Sequence, residues 1–335
     1  MTEPYDALLL VSYGGPEKPD DVVPFLENVL RGTKVSRTRI LQIAERYELF
    51  EGRSPASAQN RALLAALVTE LNTHGPQLPV YWGNRNWHPL LPDTLQQMAD
   101  DGIRRALAMV TSPFGSYSGC RQYLEDIQRA QQAVGAGAPH VDKLRLFYNH
   151  PGFIEPMAER VAAALEEIPA PRRAKARIVY TAHSIPTAMA QACAYQEQLR
   201  EACRLVCQRL GRSEWQQVYQ SRSGPPSEPW LEPALGDCLR ELAASGDAGD
   251  VVIAPIGFLY ENMELVLDLD VETAELCEQL GLNMVRSAVV GTHPRFVTMI
   301  RELIRERMDE EPIRLALGTH GASHDVCPAD CCPRG

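Results

Sequence analysis

The feature that most constrains this chain is an alternation. Short apolar runs with strand character recur along its length, separated by longer stretches of helical period. The runs are Ala7–Val11, Val80–Trp82, Ala106–Val110, Leu144–Tyr148, Ile178–Thr181, Gln217–Gln220, Val251–Pro255 and Met284–Val289. Helices are expected around 20–31, 37–48, 55–74, 91–101, 119–134, 153–168, 187–211, 231–244, 260–280 and 294–308. Strand, helix, strand at this spacing gives an α/β fold with parallel sheets covered by helices. A chain of 335 residues has room for two such units. The pattern splits near Asn149–Gly152, giving similar halves over 1–150 and 151–310 and a polar, turn-rich tail over 311–335.

In open α/β sheets, ligands bind outside the carboxyl ends of the strands. The residues after each run are therefore where chemistry is sought. They are Ser12-Tyr13-Gly14, Thr111-Ser112-Pro113-Phe114, "YTAHSIP" around His183, "QSRSGPPSEPWL" and "APIGFLYENME". No G-x-G-x-x-G, G-x-x-x-x-G-K-[ST] or G-x-S-x-G occurs. Nucleotide phosphates thus have no obvious cradle, and an α/β-hydrolase nucleophile is missing.

Net charge is −10 with no basic stripe, which disfavours a general nucleic-acid binder. No apolar run approaches the ~20 residues of a membrane span. The start, MTEPYD, lacks the basic and apolar stretches of a signal peptide, so a cytoplasmic protein is expected. Of nine cysteines, six are spread through the body, and Cys327, Cys331 and Cys332 crowd into the last nine residues. A cytoplasmic setting argues against a disulfide framework, and crowded thiols then suggest zinc or an iron–sulfur cluster. A fourth ligand must come from elsewhere. Cys120, opening a helix after a strand mouth, is the choice because a helix N-terminus stabilises a thiolate.

Two further groups stand out. His183 sits at a strand mouth. Glu264, Asp268 and Glu272 are spaced by four, so a helix puts them on one face. The residues between them are mostly leucine and valine, so the helix is largely buried and its carboxylates need partners. A row of oxygens leading inward suits a hydrated divalent cation. Imidazole plus carboxylate is a mixed donor set fit for a metal in transit, such as ferrous iron, and both groups can move protons.

Taken together, "LLLVSYGGP", "YTAHSIP", "SRSGPPSEPWLEP" and "APIGFLYENMELVLDLD" resemble the successive signature segments of ferrochelatases, which insert Fe2+ into a porphyrin. The resemblance runs from about residue 5 to residue 308. It implies two Rossmann-like, doubly wound domains flanking a porphyrin cleft. It implies that His183 and Glu264 are the paired active-site residues, with Asp268 and Glu272 continuing a metal path toward the surface. Relatives acting on coproporphyrin III carry tyrosine at the position of Tyr13, on the opposite face of the macrocycle, where its oxygen can meet iron in the product. Arg31, Arg46, Ser54 and Tyr123 match positions that anchor the porphyrin and its propionates. Cys120 with Cys327, Cys331 and Cys332 resembles the [2Fe–2S] ligand pattern of actinobacterial members. A monomer is implied, making transient contacts with neighbouring haem-pathway enzymes. The chain departs from many relatives at Tyr260-Glu261-Asn262, where they have Ser-Asp-His, and at Leu30, where some have arginine.

Three alternatives remain at this stage. A protoporphyrin IX enzyme commonly has an apolar residue in place of Tyr13. A cobalt chelatase for an earlier tetrapyrrole generally has extra histidines at the metal site. A haem-binding or iron-sensing protein without turnover has no need of a row of delivering carboxylates.

Overall fold

The computed structural model describes residues 4–33, 35–246 and 249–334. Its strands form two four-stranded parallel sheets. The first contains Ala7–Ser12 (β1), Val80–Asn84 (β2), Arg105–Val110 (β3) and His140–Lys143 (β4), in the order β2-β1-β3-β4. The second contains Arg177–His183 (β5), Trp215–Gln220 (β6), Asp250–Ala254 (β7) and Asn283–Arg286 (β8), in the order β6-β5-β7-β8. β1 and β7 are buried along their whole length, as strands covered on both faces must be.

One apolar core joins the sheets. Leu8, Leu10, Leu107 and Met109 of the first belong to the same cluster as Ile178, Tyr180 and Val252 of the second. The helices Ala56–His74, Pro151–Glu167, Tyr195–Arg209 and Pro294–Met308 contribute to it. The last of these packs on both Pro151–Glu167 and Ala56–His74, so the C-terminal helix reaches back to the N-terminal part of the chain. Separate clusters fill the outer face of each sheet, one including Leu95 and Ile127 and the other Leu239 and Cys277.

Three elements depart from expectation. The run Leu144–Tyr148 is buried, yet the strand is His140–Lys143 just before it. After Leu144 the chain leaves the sheet and becomes the dock for the tail. Arg145 binds Glu306 through two nitrogens, at 2.6 and 2.8 Å, and donates to the carbonyl of Leu315. Leu317 donates to the carbonyl of Asn149, and Asn149 donates to that of Gly321. The expected helix over 187–211 is broken into Thr187–Gln191 and Tyr195–Arg209. The expected helix over 260–280 begins at Met263 and carries a π-helical turn, Leu267–Thr273, before resuming at Ala274. A π turn adds a residue to the winding, and such turns occur frequently at functional sites.

Candidate active site and tail metal centre

His183 is the last residue of β5, where backbone pairing with Gln220 fixes it at the mouth of the second sheet. The β7 mouth presses close by, because a side chain on Gly257 would meet the backbone of Ala182 at 2.7 Å. Across this mouth Glu264 lies in the helix Met263–Val266, whose N-cap is the side chain of Asn262. His183 Nε2 and Glu264 Oε1 are 3.4 Å apart. Burial opposes a charge on His183, but Glu264's charge and hydrogen bond, the Ser184 carbonyl and Asp268 together outweigh it and raise the imidazole to about 9. Tyr195 donates to the His183 carbonyl at 2.9 Å, and Trp230 stands beside its ring at 6.5 Å between centroids.

The carboxylate row has partners. Asp268 accepts from Ser221 and, at 3.1 Å, from Gln220. Burial is the largest force raising its pKa, with the negative neighbours Glu264 and Glu272 adding to it. Ser221 holds its place with a left-handed backbone, φ 60°. Glu272 pairs with Arg46, 226 positions away in sequence, at 2.5 Å. The arginine expected to anchor a propionate and the outermost carboxylate of the expected metal path are thus in contact.

Tyr13 follows β1 and faces the same space. Burial is the main cause of its raised pKa, Arg85 counteracts it, and the nearby Glu264 adds to it. Tyr47 feels burial and Glu264 in the same way. Arg85 packs over two of the expected porphyrin contacts, 5.7 Å from the Tyr13 ring and 4.5 Å from that of Tyr123, and is anchored by Asp126. Ser54 lies against the loop after β1, since a side chain on Gly15 would meet its Cβ at 2.8 Å. Arg31 sits on an exposed turn and donates to Asn28, which donates to the carbonyl of Asn86 beside Tyr13. Of the divergent trio, Tyr260 hydrogen-bonds with Thr111 and Asn60, Glu261 is taken by Arg286 at 3.0 Å, and Asn262 is the cap. Glu261 is therefore an ion-pair residue.

The tail brings its thiols to Cys120. Cys120 lies in the π-helical turn Tyr117–Arg121 and is buried. The Cys327 thiol donates to its sulfur; burial opposes a thiolate, but Lys143, 2.8 Å away, favours one, and the net effect lowers Cys120 to about 5. The lowering comes from Cys327 and Lys143, where the sequence suggested a helix N-terminus. Cys331 and Cys332 are 3.5 Å apart. Cys120 with Cys327 and Cys331 with Cys332 make two adjacent sulfur pairs, a donor set that fits two irons. Arg121 donates to the Ala329 carbonyl at 3.1 Å and helps seat the tail.

Several of these residues escaped sequence analysis. Arg85 follows β2 and obeys the strand-mouth rule, which could have found it. Gln220 and Ser221 open the segment QSRSGPPSEPWL, which that rule did mark, though without a role for either residue. Lys143 and His324 carry no periodic signal, because they meet the cysteines only once the tail has docked.

An imidazole and a carboxylate face each other at a strand mouth, with further carboxylates and tyrosines near them, and these are donor types that suit a metal ion and protons. The fold agrees. The sirohydrochlorin chelatase SirB from Bacillus subtilis subspecies spizizenii aligns with a TM-score of 0.53 at 13% identity, covering 91% of this chain and 96% of that one. The sequence model described as Ferrochelatase matches residues 5–308. A ferrochelatase of Rhodopirellula baltica is 53% identical over 98% of this chain and 93% of its own length. A coproporphyrin III ferrochelatase of Streptomyces coelicolor is 49% identical over 98% of this chain and 94% of its own. The chain belongs to the ferrochelatase family. Among the described residues, no helix is long and apolar enough to cross a membrane.

Proposed function

We propose that this enzyme inserts Fe2+ into coproporphyrin III to give coproheme, in haem biosynthesis in the cytoplasm. The observation that carries the reading is the His183–Glu264 pair, 3.4 Å across a mouth that Tyr13 faces. Insertion requires two pyrrole protons to leave and iron to shed its water. Glu264 and His183 are the acceptors at hand, and Asp268 and Glu272 lead iron toward them. Four propionates ring coproporphyrin. Arg31, Arg46, Ser54 and Tyr123 are the donors proposed for them, because arginine forks and hydroxyls match carboxylates. Tyr13 is proposed to meet iron on the other face once it is inserted. The name of the Streptomyces coelicolor relative supports this substrate.

The tail centre is proposed to hold a [2Fe–2S] cluster on Cys120, Cys327, Cys331 and Cys332, supported by the two sulfur pairs. Such a cluster supplies one-electron chemistry and a cross-link between the tail and the body. The enzyme is taken to act as a monomer, with transient contacts to the enzymes before and after it.

The test is anaerobic Fe2+ insertion, with coproporphyrin III and protoporphyrin IX side by side. Many turnovers with the first and few with the second support the reading. Equal rates would remove the substrate preference, and tight binding without turnover would make the chain a binder.

A further inference from the structure

The tail centre has more donors than a cluster uses. The ligand atoms of His324, Cys327 and Cys331 all lie within 4.8 Å of one another. Cys120 is hydrogen-bonded to Cys327, and the Cys332 sulfur is 3.5 Å from that of Cys331. Three donors therefore share one spot, with one further thiol beside each of its two cysteines, whereas a [2Fe–2S] cluster takes four ligands. The other tail histidine, His320, turns away to Tyr148 and Glu197. His324 is exposed and within reach of Cys327 and Cys331.

The donors are not equally comfortable. Cys332 adjoins Cys331 in sequence and holds a left-handed backbone, φ 53°, which a side chain adopts only at a cost. His324 belongs to the spacing His-x-x-Cys-x-x-x-Cys and has no such backbone. Imidazole replaces thiolate on one iron in known clusters, and the replacement raises the reduction potential.

We propose that His324 is an alternate ligand of the tail centre, interchangeable with Cys332. Cys120 and Cys327 hold one iron in either state. Cys331 holds the other, together with the Cys332 thiolate or the His324 imidazole. The inference rests on the cluster reading above, and the test separates the two.

Full-length wild type, Cys332→Ala, His324→Ala and the double variant would be purified without oxygen. Iron and acid-labile sulfide would be measured, with visible absorption and pulsed EPR after dithionite reduction. Wild type and His324→Ala should show an all-thiolate cluster. Cys332→Ala should keep iron and sulfide in equal amounts, gain nitrogen hyperfine coupling and titrate at a higher potential. The double variant should lose the cluster while its far-UV circular dichroism stays that of wild type. Cys332→Ala/His324→Cys should restore the all-thiolate spectrum. A brown wild type with a colourless but folded Cys332→Ala would overturn the role of His324, as would a Cys332→Ala cluster without nitrogen coupling. A wild type without iron and sulfide would instead strike down the cluster itself.

Discussion

Replacing Glu264 by glutamine keeps its size and removes its charge, which separates the two roles open to His183. In the free enzyme the imidazole is raised to about 9, above its ordinary value of about 6.5, against the opposition of burial. Two unit charges 3.4 Å apart attract by about 1 kcal/mol in bulk water and about 5 kcal/mol at an effective dielectric near 20. His183 and Glu264 are 35% and 46% exposed, so the lower part of that range applies. One pH unit corresponds to about 1.4 kcal/mol, so Glu264→Gln should lower His183 by about one to two units. Burial, left with less opposition, pushes the same way.

The assay is a histidine NMR titration of porphyrin-free enzyme, with His183→Ala identifying the resonance. A midpoint within half a unit of wild type would refute the reasoning. Stability carries the same signature. The folded pKa lies above the unfolded one, so the pair stabilises the fold fully below about pH 6.5 and loses this effect as pH rises through about 9. Glu264→Gln should flatten that part of the denaturation-midpoint profile. In turnover, only neutral imidazole accepts a proton. Wild-type kcat/KM should therefore rise toward pH 9, and the variant's limb should lie lower in pH beneath a much reduced plateau.

His183→Ala should lower iron insertion by about 10² or more while porphyrin binding, followed by fluorescence quenching, changes little; normal turnover would remove His183 from the mechanism. Tyr13→Phe should shift the absorption spectrum of the coproheme complex and speed product release with little effect on insertion, since a bond made only in the product need not stabilise the transition state; identical spectra would mean that Tyr13 is not a ligand. Cys120→Ser should bleach a brown protein, whereas serine at Cys193, Cys203, Cys207, Cys238 or Cys277 should leave the colour, as iron analysis would verify. Arg145→Ala should destabilise the protein by up to about 3–5 kcal/mol in urea, because it leaves the buried Glu306 with only Arg314, 4.0 Å away, as an ion-pair partner.

What the sequence made legible follows from what repeats. Parallel strands buried on both faces write themselves as apolar runs, and seven of the eight runs overlap strands of the structure. The eighth, Leu144–Tyr148, has the same composition because it too is buried, but beneath the tail and beyond the sheet. Apolar content reports burial and leaves the backbone partner open. The winding of the carboxylate helix was similarly hidden, since α and π turns tolerate the same residues at this spacing. The pairings Arg46–Glu272 and Lys143–Cys120 join segments far apart in the chain, and no local pattern records them.

The positions of Tyr13 and His183 have a common cause in topology. In the order β2-β1-β3-β4 the chain reverses direction between β1 and β3, and in β6-β5-β7-β8 it reverses between β5 and β7. At such a point the connections leave on opposite sides, opening a crevice beyond the strand ends. Tyr13 lies just past the end of β1, and His183 closes β5, so each stands at the crevice of its own sheet. The shared core holds the two crevices near enough for Glu264, on the second sheet's side, to act on Tyr13 and Tyr47 of the first. A flat ligand entered from one crevice alone meets one wall. Entered between two, it can be met on both faces, by an oxygen from one half and an imidazole–carboxylate pair from the other. A macrocycle placed there would thus take one wall from each unit.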